Sequence, residues 1–345
     1  MNNLCKYGTH RVISPVGTLP QTADKINNEM ICQDNEILVD VDTLNIDSAS
    51  FTQIKNACNN DIEKMKEMVE NIVNSKGKMQ NPITGSGGMF LGRIKEVGKD
   101  LTVNVKPGDK IASLVSLSLT PLKIKKILGV DLSKDQVNII GQAILFETGI
   151  FAKIPADLPA DIVLSALDVA GAAAQVEKLV KKNDNVLILG AGGKSGLLCA
   201  YQAKKSAGKK GKVIALIHSD RHRHDLEKLG ACDYIIVGDA TKPMEVYNKV
   251  KAVLPEMVDV TINVVNVPNT EMTSILPTKN TGTIYFFSMA TSFTKAALGA
   301  EGIASEALMI IGNGYTKDHA EFTLNLLRES ETLYEIFKER FGSDK

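Results

Sequence analysis

Tryptophan is absent from the 345 residues, which removes an optical reporter but excludes no function. Net charge is lacking too: 40 Lys and Arg balance 40 Asp and Glu, so no basic field argues for a nucleic-acid partner. A small or amphoteric ligand fits better. Cysteine is sparse, and Cys5, Cys32, Cys58, Cys199 and Cys232 form no CxxC pair and no regular spacing. That excludes a zinc ribbon and a disulfide framework, and the odd count fits free thiols in a reducing compartment. No apolar run approaches a membrane span, and the opening MNNLCKYGTHRVISP lacks the charged start and apolar core of a signal peptide. The expectation is a soluble cytoplasmic protein with no membrane partner. Internal repeats and low-complexity tracts are also missing, and the length suffices for two domains, each with its own core.

What is present is a glycine-punctuated turn, NVLILGAGGKSG over Asn185–Gly196. Val186–Leu189 reads as a buried parallel strand, Gly190, Gly192, Gly193 and Gly196 as the turn, Leu197 to about Lys205 as a helix, and Lys212–Ile217 as a second strand. Glycines permit the tight turn and let backbone amides approach phosphates, while the helix N-terminus favours negative charge. Strand, turn, helix and strand together predict a dinucleotide site, with Lys194 and Ser195 inside the loop. About 20 residues past such glycines an acidic residue usually accepts from the NAD ribose. Here that place falls at Ile217, followed by His218, Ser219, Asp220, Arg221, His222 and Arg223. Ser219 and the guanidiniums of Arg221 and Arg223 suit a ribose phosphate, but the arginines equally suit a solvated helix start. NAD and NADP both remain open as cofactors.

The first third reads as mostly β, with strands at Glu36–Asp42, Met89–Val97 and Lys110–Val115. A helix over Asp61–Asn74 presents Ile62, Met65, Met68, Val69, Ile72 and Val73 at helical spacing, capped by Asn59 or Asn60. After a boundary at Pro155–Pro159, helix and strand alternate: helix Ala160–Val180, strands Val186–Leu189, Val213–Ile217, Tyr234–Val237, Val258–Val264 and Gly282–Phe287, with helices between. Such alternation predicts an α/β fold, a doubly wound parallel sheet of the Rossmann type beside a β-rich domain. Its ligand edge would carry Val265 and Asn266 after one strand and Ser288 and Met289 after another, placed to hold a nicotinamide carboxamide. A single helix over Leu326–Phe341 is expected after the apolar run Leu308–Ile311, which could pair with its counterpart in a homodimer.

These parts, in order, resemble the medium-chain dehydrogenase/reductase family, a GroES-like β domain followed by a Rossmann domain. The landmarks are Gly92–Gly98, Val105–Ala112, Lys153-Ile154-Pro155, Gly190–Gly196 and Leu229-Gly230-Ala231. The resemblance implies a GroES-like domain over residues 1–160 and a Rossmann domain over 161–313, with 314–345 a candidate to pack back on the β domain. Zinc-dependent members carry Gly-His-Glu where this chain has Gly87, Gly88 and Met89. Leu44–Phe51 offers no cysteine, and Ser165–Gly171 offers Asp168 instead of a third ligand. Three good ligands are needed, so no metal is expected.

The opening Lys6–Ile13 and Leu19-Pro20-Gln21 are unusual within that family and look like a zinc-free, amine-oxidising branch. This resemblance implies NAD(P)-dependent oxidative deamination of a small diamino acid with release of ammonia. Such chemistry needs a proton acceptor and groups to hold an ammonium and a carboxylate. Asp168 is the first candidate acid, because the family position it approximates faces the nicotinamide, and Asp47 follows on a looser alignment. His10 is a candidate base or carboxylate ligand, and Arg11 and Arg93 are candidates for the carboxylate. Two readings compete: a zinc-independent quinone or enoyl reductase, and a non-catalytic dinucleotide-binding sensor.

Overall fold

A computed structural model of the chain describes residues 4–342. Its contacts divide it into two units, Met1–Ala160 and Asp161–Lys345.

The first unit runs β1 (Val12–Ser14), β2 (Lys25–Ile26), β3 (Glu36–Asn45), α1 (Ser48–Ala57), α2 (Ile62–Lys76), β4 (Met89–Val97), β5 (Lys110–Ser113), β6 (Leu122–Asp131), β7 (Gln136–Phe146) and β8 (Phe151–Lys153). Six strands form one antiparallel sheet in the order β6-β7-β3-β4-β5-β8. Val39, Val41, Phe90, Ile94, Val137 and Ile139 fill its core together with the buried face of α2, which is Met65, Val69, Ile72 and Val73. Each such side chain contributes about 1.5–3 kcal/mol on leaving water, so the methionine-bearing stripe is core. Ile62, at the head of the expected stripe, is exposed. The cap is Asp61, whose carboxylate accepts from the N–H groups of Glu63 and Lys64. Asn59 and Asn60 instead take left-handed φ of 51° and 61°, a conformation asparagine tolerates.

The second unit runs α3 (Ala160–Leu167), α4 (Ala170–Leu179), β9 (Val186–Leu189), α5 (Lys194–Ala207), β10 (Val213–Ile217), α6 (Arg223–Leu229), β11 (Tyr234–Val237), α7 (Pro243–Val253), β12 (Val258–Asn263), α8 (Glu271–Ile275), β13 (Thr278–Phe286), α9 (Phe293–Gly302), β14 (Leu308–Ile311), α10 (His319–Glu329) and α11 (Glu331–Phe341). All six strands are parallel, in the order β11-β10-β9-β12-β13-β14. Numbered from β9 this is 3-2-1-4-5-6, so the order reverses between β9 and β12, where α/β sheets of this kind bind dinucleotides. The four residues of β9 are buried, as helices on both faces require.

Two expectations change. The long helix over Ala160–Val180 is broken at Asp168-Val169 into α3 and α4. The C-terminal segment is two helices, divided where the Ser330 hydroxyl caps α11 by accepting from Leu333 N–H. Within the second unit α10 packs on α4, and α11 on α5 and α6. No described helix is long and apolar enough to cross a membrane, and the five thiols are free.

Candidate active site

The turn leaving β9 is shaped by contacts that only glycine allows. Gly190 has φ +85°, and a Cβ there would meet Val265 Cγ2 at 3.0 Å, so the turn lies against the chain leaving β12. A side chain on Gly196 would run into the Gly190 carbonyl and the Ala191 backbone. One on Gly192 would press on the His222 Cβ at 3.0 Å and its ring at 3.3 Å, whereas Gly193 faces only the Gly190 oxygen at 3.6 Å. The N–H groups of Gly190 and Ala191 donate to Leu216 O, and that of Gly193 to Gly190 O. Those of Gly192, Lys194, Ser195 and Gly196 have no acceptor among the described residues, and α5 has no side-chain cap. Open amides at a helix N-terminus fit a dinucleotide pyrophosphate.

At the ribose end, β10 stops at Ile217, and His218, Ser219, Asp220 and Arg221 are exposed. Arg221 has no ion-pair partner among the described residues. Arg223 is spent on its own helix start, with Nε 2.6 Å from Asp220 Oδ1 and Nη1 3.8 Å from Glu227. Of the two arginines expected to face a ribose phosphate, only Arg221 is available. Val265 N–H donates to Asn263 Oδ1, while the Asn263 amide donates to Thr270 and Ser274 hydroxyls, so that turn is fixed from beneath. Asn266 and Met289 are exposed, and the Ser288 hydroxyl accepts from Ala290 N–H.

Asp168 sits in the break between α3 and α4, where its Oδ2 accepts from Lys194 Nζ at 2.8 Å. It is therefore tied to the first residue of α5, beside the glycine turn. Neither residue was paired with the other by sequence spacing.

In the first unit, three of the candidates prove to be structural or peripheral. Arg11 is buried, with Nε and Nη2 donating to the Glu36 carboxylate at 2.5 and 2.6 Å and its other N–H groups donating to the carbonyls of Asn27, Glu29 and Ile31. All its donors have internal acceptors, so in this structure the guanidinium is engaged within the fold. His10 completes the same knot, Nε2 to Glu36 Oε1 at 2.8 Å, and its Nδ1 accepts from Cys5 N–H. Burial pushes the Glu36 carboxyl up, but hydrogen bonds from Arg11 and His10 outweigh it and hold the group below its usual range. Arg93 is exposed on β4 with one donor on Gly108 O.

Asp47 differs from all of these. It is the N-cap of α1, and Oδ1 accepts from Ser50 N–H at 3.0 Å. Its Oδ2 is shut off from solvent and has no hydrogen-bond partner among the described residues. A buried oxygen without a donor is costly, about 1–3 kcal/mol and more for a charged group, which a ligand ammonium would offset. The residue lies against Gly88, the position where zinc-dependent relatives carry histidine. Gly88 has φ +91°, and a Cβ there would collide with the Asn45 carbonyl and come within 2.7 Å of Asp47 N. Histidine is therefore excluded by the backbone, and among the described residues no three His, Cys, Asp or Glu side chains converge as a metal site.

The loop bearing Gly88 is braced by groups that sequence spacing did not single out. Buried Lys78 donates to the carbonyls of Pro20 and Gln21 at 2.6 and 3.3 Å, and Gln80 donates to Gln21 and Gly85 carbonyls. Burial lowers the Lys78 ammonium to about 8. Asn81 Oδ1 accepts from Ile83 and Thr84 N–H, and Ser50 and Thr84 hydroxyls lie 2.5 Å apart. A lysine and an asparagine in NSKGKMQNPITGSGG carry no periodic signal, so only the fold shows what they hold.

A family profile described as "L-erythro-3,5-diaminohexanoate dehydrogenase N-terminal domain" matches residues 10–155. The chain is 56% identical over 342 residues, 98% of its length and 99% of the relative's, to the L-erythro-3,5-diaminohexanoate dehydrogenase of Fusobacterium nucleatum subsp. nucleatum. It is 55% identical over 340 residues, 98% of its length and 99% of the relative's, to the protein of the same name from Acetoanaerobium sticklandii. Among solved structures, Escherichia coli quinone oxidoreductase complexed with NADPH is similar with a TM-score of 0.54 at 15% identity, over 94% of this chain and 87% of that one. This last likeness shows the fold, a Rossmann-type sheet beside an antiparallel sheet. The chain belongs to the L-erythro-3,5-diaminohexanoate dehydrogenase family.

Proposed function

We propose that the chain catalyses NAD- or NADP-dependent oxidative deamination of L-erythro-3,5-diaminohexanoate to 5-amino-3-oxohexanoate and ammonia, a step of lysine fermentation. The observation that carries this reading is the 56% and 55% identity, over 98% of the chain, to two L-erythro-3,5-diaminohexanoate dehydrogenases. A diamino acid presents two ammonium groups, and Asp47 accepts from one of them once its enclosed Oδ2, which lacks a donor among the described residues, is uncovered. A quinone or an enone has no such donor to offer.

The bound dinucleotide supplies a hydride acceptor at its nicotinamide ring. The open amides of Gly192 and Lys194–Gly196 hold its pyrophosphate, and Gly190 lets the turn lie close to Val265. The turns bearing Val265, Asn266, Ser288 and Met289 border the nicotinamide, while Ser219 and Arg221 border the adenosine ribose. With the C3 amine neutral, its lone pair drives hydride from C3 and leaves an iminium. Water adds to that carbon, and ammonium departs as the ketone forms. Asp168, paired with Lys194, acts on the dinucleotide loop and not on the substrate. The working form is a cytoplasmic homodimer, supported by β14, an edge strand whose Leu308 and Ile311 are exposed and whose outer edge is unpaired in the sheet.

The test is reduction of NAD and NADP, side by side, with 3,5-diaminohexanoate as substrate. Reduced nicotinamide and ammonia should appear in equal amounts. NADPH consumption with a quinone or an enone, and none of this with the diamino acid, would favour a quinone or enoyl reductase. Dinucleotide binding with no turnover of any of these would favour a sensor.

A further inference from the structure

The last turn of α11 comes back to the glycine loop, and nothing in the proposed reaction yet uses it. Arg340 lies 148 residues beyond Gly192, yet its Nη1 donates to the Gly192 carbonyl at 2.8 Å and to Asp225 Oδ2 at 3.3 Å. Its guanidinium carbon stands 4.9 Å from the centre of the Phe341 ring, and Lys194 Nζ approaches that ring at 6.0 Å. His222, which flanks Gly192 on another side, is 3.6 Å from Asp225 by its Nδ1. Arg340 is four-fifths buried, its side chain 19% exposed. A basic residue in a helix's last turn suits the helix dipole, but that alone would leave the guanidinium in water.

An arginine presents five N–H donors in a rigid fork. Here Nη1 serves Gly192 and Asp225, while Nε and Nη2 have no acceptor among the described residues. Neither nitrogen is among the buried polar atoms that lack a partner, so both are open to solvent and free to take an acceptor. The acceptors must be anionic, because the same neighbourhood holds Lys194, the open N-terminus of α5 and the unpaired Arg221. Among the described residues, Asp225 is already shared by one arginine nitrogen and His222, and Asp168 is held by Lys194. A phosphate oxygen accepts two parallel N–H donors from one guanidinium.

We infer that Arg340, delivered by the C-terminal helix, is a phosphate ligand of the bound dinucleotide, with Nη1 fixed on the glycine turn and Nε and Nη2 left for phosphate oxygens. This rests on the chain's binding a nicotinamide dinucleotide. The phosphate belongs either to the pyrophosphate, common to NAD and NADP, or to the ribose phosphate of NADP alone.

The experiment titrates the wild-type chain, Arg340→Met, Arg340→Lys and Asp225→Asn with NADH and with NADPH. Nicotinamide fluorescence is the readout, free of tryptophan background in this chain, at several KCl concentrations. Arg340→Met should weaken binding about tenfold or more and flatten the salt dependence of the dissociation constant. Arg340→Lys, which keeps the charge and loses the fork, should fall between it and wild type and stands in should the methionine variant not fold. Asp225→Asn keeps the guanidinium and should bind as wild type. Loss with both dinucleotides assigns the pyrophosphate, and loss with NADPH alone assigns the ribose phosphate. Wild-type affinity in both Arg340 variants, or an equal loss in Asp225→Asn, would overturn the inference, the latter by making the arginine a brace for α6. Failure of the wild-type chain to bind either dinucleotide would instead bring down the functional reading, and this inference with it.

Discussion

Two glycine-rich loops, Gly85–Gly88 in the β-rich unit and Gly190–Gly196 in the Rossmann-type unit, use the same residue for opposite ends. At 190–196 the amides of Gly192 and Lys194–Gly196 are left without an acceptor among the described residues, although Gly196 also sits tight against the Gly190 carbonyl. At Gly88 the absent side chain lets backbone press on backbone, against the Asn45 carbonyl and Asp47 N. Gln80 links the Gly85 carbonyl of the first loop to that of Gln21, which buried Lys78 also holds, while Arg340 donates to the carbonyl of Gly192 in the second. Each has an aspartate beside it, and here they part. Asp168 is held by Lys194, while one oxygen of Asp47 is buried without a donor. A glycine in a loop thus says that something must come close, and only its neighbours say whether that is a phosphate or the protein itself.

The comparison breaks most sharply at Gly88. Gly88→His places a side chain at φ +91° into a carbonyl, so unfolding free energy should fall by more than about 3 kcal/mol, read by thermal or urea unfolding. The variant should take up no stoichiometric zinc, and a folded variant holding one equivalent would contradict the packing account.

Lys78 tests the brace of the first loop. Its ammonium is lowered to about 8 from 10.5, so between these values the folded chain binds fewer protons than the unfolded one and this group makes stability rise with pH. Its stabilising share is full above 10.5 and is lost as pH falls through about 8. From pH 8 to 10 the wild-type chain should therefore gain about 1 kcal/mol or more relative to Lys78→Met, measured by urea unfolding at each pH. Parallel pH profiles would remove the buried ammonium from the account.

The smallest effect is expected at the second loop's aspartate. The Asp168–Lys194 pair is partly exposed, 20% and 29%, and such pairs contribute about 1 kcal/mol or less. Asp168→Asn should weaken dinucleotide binding by about fivefold or less and leave turnover at saturating dinucleotide unchanged. A large fall in that turnover would return Asp168 to the substrate.

Much of the Rossmann-type unit is legible along the chain, because β9, its glycines and α5 are contiguous and their period and punctuation are local signals. The lack of a histidine at Gly88 is legible too, though the reason that none could stand there is not. The break at Asp168 and the split at Ser330 escape periodicity, since the residues flanking the break in α3 and α4 are mostly apolar and a serine inside a helical pattern marks a cap only after the turn has formed. His10 and Arg11 look like ligands in sequence because Glu36, which absorbs both, lies 26 and 25 residues away. Arg340 and Asp225 lie too far from the glycine loop in sequence for any spacing to join them.

The central claim is that Asp47, and not Asp168, receives the substrate. The measurement closest to it is Asp47→Asn, which preserves an oxygen for the Ser50 cap, compared with wild type in kcat/KM for 3,5-diaminohexanoate and in dinucleotide dissociation constant. The account predicts a fall of about a hundredfold in kcat/KM with dinucleotide affinity unchanged. A variant as efficient as wild type, or one that loses dinucleotide affinity in step with kcat/KM, would contradict it.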